Sequence, residues 1–62
     1  MYKKFEALSE EKQMRILNAA YGEFANKQFK EASTDEIANN AGISKGALFQ
    51  YFGTKKQLYF YV

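Results

Sequence analysis

The chain contains no cysteine, histidine, proline or tryptophan. Without Cys there are no thiol nucleophiles and no disulfide staples, and without Cys and His there is no ordinary zinc site. The side chain most used for proton transfer near neutral pH is also missing. The Asp and Glu residues fall on expected solvent faces with no converging partners, so an enzyme is the weakest class, and neither a cofactor nor a metal is expected. No apolar run approaches membrane-spanning length, and Lys3 and Lys4 lead into no signal-peptide core. The absence of Cys fits a cytoplasmic protein. With no prolines, helices can be broken only at four glycines and at their caps.

What is present is one small domain. The 62 residues are 47% hydrophobic, 26% charged and 18% aromatic, a globular composition. A chain this short buries only about 60% of the surface its unfolded form exposes, so its core is thin. The net charge is +2, but its distribution is uneven: Glu36 is the last acidic residue, and Lys45, Lys55 and Lys56 follow it. The C-terminal part is one-sidedly basic.

Residues 1–8, with Tyr2, Phe5 and Leu8 among lysines, read as a partly ordered leader. Ser9, followed by Glu10 and Glu11, is a helix cap, because negative charge is favoured at a helix N-terminus. Met14, Leu17, Ala20, Tyr21, Phe24 and Ala25 then form one stripe at about 100° per residue, with Lys12, Arg15, Glu23 and Lys27 on the other side. This helix should end near Asn26 or Lys27, with Phe29 tucked under the next loop. Ser33, three residues before Glu36 and just ahead of Ile37 and Ala38, is a capping-box pattern. Gly42 ends that short second helix, Ser44 caps a third, Gly53 ends it, and Thr54 caps a fourth that runs through Leu58. No period-two pattern is long enough for a sheet, so the expected fold class is all-α.

Two short helices separated by a glycine turn form a helix-turn-helix. Ala38 is small enough for a close helix approach, Ile43 plugs the angle, and Leu48 and Phe52 face back onto Ile37 and Ala41. Gly46, Ala47 and Gln50 are then left outward, flanked by Phe49 and Tyr51, with Lys45 in the first turn. A solvated helix of this length would normally carry charges there. Small residues permit close approach, and Gln can pair with two groups on an adenine edge. The surface suits a DNA major groove.

The stretch Ser33-Thr34-x-x-Ile37-Ala38-x-x-Ala41-Gly42-Ile43-Ser44-Lys45-Gly46-x-Leu48-Phe49-x-Tyr51-Phe52 closely resembles the DNA-binding domain of TetR-type transcriptional regulators. Ile16-Leu17-x-Ala19-Ala20-x-x-x-Phe24 upstream and Lys55-x-x-Leu58 downstream extend the resemblance. It implies a three-helix DNA-binding head over residues 9–53, with residues 54–62 starting the helix that connects to a larger helical regulatory domain. That domain would form a homodimer and bind a small-molecule effector. The implied function is sequence-specific binding of a palindromic double-stranded operator by a ligand-responsive repressor, with the third helix in the major groove. On the same footing, Thr34 matches a phosphate-contacting hydroxyl, and Ser44, Lys45 and Gly46 belong to the Ser-Lys-Gly core that meets bases or nearby phosphates. Ala47, Gln50 and Tyr51 lie where specificity varies among members, and Lys55 matches a lysine that grips the DNA backbone. Two positions depart from the pattern. Phe49 stands where the family commonly has Tyr, which leaves a packing role, and Asp35 stands where some relatives carry a basic residue.

Tyr59, Phe60 and Tyr61 form an aromatic run with no stop signal, which reads as a helix severed before its packing partner. The rival to a DNA-binding head is a helical protein-interaction module that docks through Phe49, Tyr51 and Tyr59.

Overall fold

The computed structural model describes residues 2–62, and all regular structure among them is helical. Five α-helices follow in order: α1 (Lys3–Glu6), α2 (Glu10–Asn26), α3 (Thr34–Ala41), α4 (Lys45–Phe52) and α5 (Lys55–Tyr61), with a single 3-10 turn at Phe29–Glu31. Helices α2 to α4 are the expected three-helix unit, and α5 is the expected fourth.

Each of the last four helices starts at a hydroxyl. The side chains of Ser9, Ser33, Ser44 and Thr54 accept from the backbone N–H of Lys12, Glu36, Ala47 and Gln57 at 3.2, 3.1, 3.0 and 3.0 Å. Such a cap is worth about 1 kcal/mol against alanine. Gly42 closes α3 in the left-handed region (φ 74°), with the N–H groups of Gly42 and Ile43 donating to the carbonyls of Asn39 and Ala38. A side chain there would be strained, so glycine makes the sharp turn into α4.

The core is formed by Phe5, Ile16, Ala20, Ile37, Ala38, Ala41, Leu48, Phe52 and Leu58. Two expectations are corrected here. Residues 2–8, expected as a partly ordered leader, pack onto the core: Phe5 is fully buried, with its ring 4.8 Å from that of Phe52, 5.6 Å from Tyr61 and 6.2 Å from Tyr51. A four-residue helix has no stability of its own. Helix α1 is held by that ring and by Gln13 Nε2, which donates to the carbonyls of Glu6 and Leu8.

The buried stripe of α2 is also turned from its expected place. Ile16 and Ala20 are buried, whereas Met14 and Tyr21 are 55% and 66% exposed. The true centre lies roughly a quarter turn away. The apolar flank misleads the stripe because it belongs to a second, open surface. Tyr21, Phe24 and Ala25 line a groove of about 420 Å³ with Tyr59, Phe60 and Val62 of the C-terminal end.

Candidate nucleic-acid interface

The turn Gly42-Ile43-Ser44 joins the end of α3 to the start of α4. Lys45 Nζ lies 3.5 Å from Asp35 Oδ1, joining the two helix starts. Both side chains are more than half exposed, so this ion pair is weak and open to competition by another anion. The carboxylate that departs from the resemblance therefore faces the lysine expected to meet DNA.

On α4, Ser44, Lys45, Gly46 and Gln50 are exposed, Ala47 and Phe49 are half-buried, and Leu48 and Phe52 are in the core. A Cβ built on Gly46 would meet only Ser44 Oγ, at 4.0 Å. Nothing in the fold requires glycine at that position. Thr34 is half-buried at the start of α3. Its backbone N–H and that of Asp35 donate to no acceptor among the described residues, so they can bind an anion.

Two site residues are placed differently from expectation. Tyr51, expected as an exposed aromatic flanking the outer face of α4, is half-buried, and its ring packs edge-on against Phe5. Helix α1, which the sequence pattern does not reveal, occupies the space on that side. Tyr59 packs against Phe24 and Phe29 at 5.0 and 5.1 Å, so Tyr51 and Tyr59 are engaged with separate aromatic groups and do not make one docking face. Lys55 is half-buried, and its ammonium donates to the carbonyls of Phe29 (2.7 Å) and Ala32 (3.0 Å), 4.6 Å from the centre of the Phe29 ring. Its polar capacity is directed mostly inward.

Sequence reasoning misses Glu23, which it places on the solvent side of α2. Its side chain is only 8% exposed, and Oε2 accepts from Ser33 N–H at 2.8 Å and from Lys27 Nζ at 2.9 Å. It therefore takes the N–H that a complete capping box would give to Glu36. The Ser33 N–H chiefly, and Lys27 after it, hold the Glu23 carboxyl below its ordinary value of 4.5. Hydrogen bonding to Glu23 raises Lys27 above 10.5. The legible clue is the Glu23–Lys27 spacing of one helical turn.

Among the described residues no cluster of acidic side chains could hold a metal ion, and no helix is long and apolar enough to cross a membrane. A family profile described as "Bacterial regulatory proteins, tetR family" matches residues 16–62. The chain is 40% identical over 50 residues, 81% of its length, to the HTH-type transcriptional activator FasR of Mycolicibacterium smegmatis. It is 34% identical over 58 residues, 94% of its length, to the HTH-type transcriptional regulator SrpR of Pseudomonas putida. It is 42% identical over 48 residues, 77% of its length, to the uncharacterised HTH-type transcriptional regulator YerO of Bacillus subtilis. These matches span only 23%, 27% and 17% of the relatives' own lengths. No solved structure gives a significant match.

Proposed function

We propose, with the premise that this chain belongs to the TetR family of bacterial regulatory proteins, that it is the sequence-specific DNA-binding head of a transcriptional regulator. The observation that carries this reading is the outer face of α4: Lys45, Gly46 and Gln50 are exposed, and the space over Gly46 is open. In the proposed complex α4 enters the major groove. Gln50 reads an adenine edge, Gly46 and Ala47 allow the backbone to come close, and Ser44 and Lys45 meet phosphates or bases at the groove edge. Thr34 and the free N–H groups at the start of α3 hold a phosphate. Phe49 contributes apolar contact beside the groove, and Tyr51 braces α4 from behind through Phe5.

One head offers few base contacts, so the proposed working unit is a dimer on a two-fold symmetric site. The apolar groove between α2 and α5 is the surface on which a further helical domain, dimeric and effector-binding, would pack. Repression in the cytoplasm by occupancy of the operator is the proposed mode; FasR, by its name, activates.

The test uses a duplex selected from a randomised library, its single half-site and a mixed-sequence duplex, each titrated at several salt concentrations. Phosphate-driven binding weakens steeply with salt, whereas an aromatic protein interface responds little. A dimeric fusion should bind the palindrome about 10²–10⁴ times more tightly than the 62-residue chain binds the half-site. Equal affinities would remove dimerisation from the reading, and failure to enrich any sequence would remove specific DNA binding.

A further inference from the structure

We infer that Glu23 and Lys55 are positioning residues that clamp the two ends of one peptide unit, Ala32–Ser33, and thereby set where α3 begins. This rests on the DNA-binding reading for its consequence, although not for its geometry. Ser33 N–H donates to Glu23 Oε2 at 2.8 Å, and the Ala32 carbonyl of the same peptide accepts from Lys55 Nζ at 3.0 Å. A carboxylate from α2 thus faces the positive end of the peptide dipole, and an ammonium from α5 faces the negative end. Both are charge-assisted hydrogen bonds, roughly twice as strong as neutral ones.

The surroundings leave these atoms few alternatives. Ala32 is 5% exposed, and among the described residues its carbonyl accepts only from Lys55. A partly buried carbonyl without a donor costs free energy, and the ammonium supplies that donor. Lys55 is also the first residue of α5, where a cation is disfavoured by its own helix dipole. Its placement is offset by the neighbouring segment and not by its helix. A second bond to Phe29 O at 2.7 Å and the Phe29 ring at 4.6 Å fix the side chain. Lys27, bound to the same Glu23 oxygen at 2.9 Å, fixes the opposite jaw.

The clamped peptide immediately precedes the proposed phosphate-binding residue Thr34 and includes the N–H of the cap Ser33. Fixing its plane fixes the direction in which the α3 N–H groups point. Lys55 therefore affects DNA binding through the shape of the head and not as a counter-charge to phosphate.

The two jaws carry opposite charges, which makes the inference testable. Simple electrostatics requires Glu23→Gln to tighten binding to any duplex and Lys55→Met to weaken it with a salt slope lower by about one. The clamp requires both variants to weaken binding, with salt slopes equal to the parent's, and Lys55→Arg to recover part of the loss. The experiment measures affinity for a mixed-sequence duplex across about 50–200 mM salt. It also measures hydrogen exchange at the Ser33 amide relative to the core Ala20 amide in the free 62-residue chain. We expect Ser33 exchange to quicken about tenfold relative to Ala20 in Glu23→Gln and Lys55→Met, and Lys55→Arg to stay near the parent. Tighter binding by Glu23→Gln, or a slope lowered by one in Lys55→Met with Ser33 exchange unchanged, overturns the clamp. Should Lys55→Met unfold, Glu23→Gln and Lys55→Arg still decide between the two accounts. If the parent binds no duplex, the DNA reading falls, and Ser33 exchange alone upholds or overturns the clamp.

Discussion

Lys45 and Lys55 occupy the same local setting and do different things. Each is the first residue of a helix, each follows a hydroxyl cap whose oxygen accepts from the third helical N–H, and neither first turn holds an acid. Yet Lys45 reaches into solvent with one loose partner, Asp35 at 3.5 Å, while Lys55 donates to two carbonyls and lies over a ring. What separates them is what stands beyond the helix start. Within reach of Lys45 is the Asp35 carboxylate in the first turn of α3; within reach of Lys55 are the carbonyls of Phe29 and Ala32 in the folded connection ahead of α3. A lysine next to unpaired carbonyls becomes part of the structure, and a lysine next to a surface carboxylate stays available to a ligand.

The largest effect should come from blocking the open side of this comparison. Gly46→Leu is expected to reduce duplex affinity more than about 100-fold while thermal melting stays equal or rises slightly, since Gly costs a helix interior about 1 kcal/mol relative to Ala. The space that a Cβ would occupy at Gly46 is free, so circular dichroism should show unchanged helix content. A Leu variant with normal affinity would take α4 out of the groove.

Next comes the direct contrast between the lysines. Lys55→Met should destabilise the fold by about 1–2 kcal/mol, the scale of lost hydrogen bonds to a partly buried carbonyl. Lys45→Met should leave the melting temperature within about a degree while lowering the salt slope by about one. Matched melting curves for the two variants would erase the distinction drawn between them.

Acid should weaken the structural side through Glu23. The Glu23 carboxyl is held below its ordinary value, so the stability it contributes is fully present above that value and is lost as pH falls through the lowered one. In denaturant titrations from about pH 6 downward, the parent should therefore lose stability in the acid range more than Glu23→Gln does. Parallel pH profiles would show that Glu23 is not a stabilising partner of Ser33.

Asp35→Asn should give the smallest change. Removing the 3.5 Å partner frees Lys45 and removes a negative charge from the proposed phosphate side, so affinity for a mixed-sequence duplex should rise a few-fold. Unchanged affinity would mean that Lys45 does not lie along the path of the DNA backbone.

The local punctuation was legible from the chain alone. Ser9, Ser33, Ser44 and Thr54 cap helices, and Gly42 and Gly53 adopt positive φ, because caps and left-handed turns depend on residues within a few positions of one another. The order of helices, the glycine turn and the exposed Lys45-Gly46 start of α4 follow from that short-range information. Three matters were decided by neighbours distant in sequence: Phe5 enters the core because Phe52 and Tyr61 surround it, Glu23 is drawn in by Ser33, and Lys55 is drawn in by Phe29 and Ala32. Periodicity reports that α2 has an apolar side, but it cannot say which of two apolar flanks meets α3 and which remains open. That choice, like the choice between phosphate and carbonyl for a lysine, depends on which unpaired groups the folded chain brings within about 3 Å.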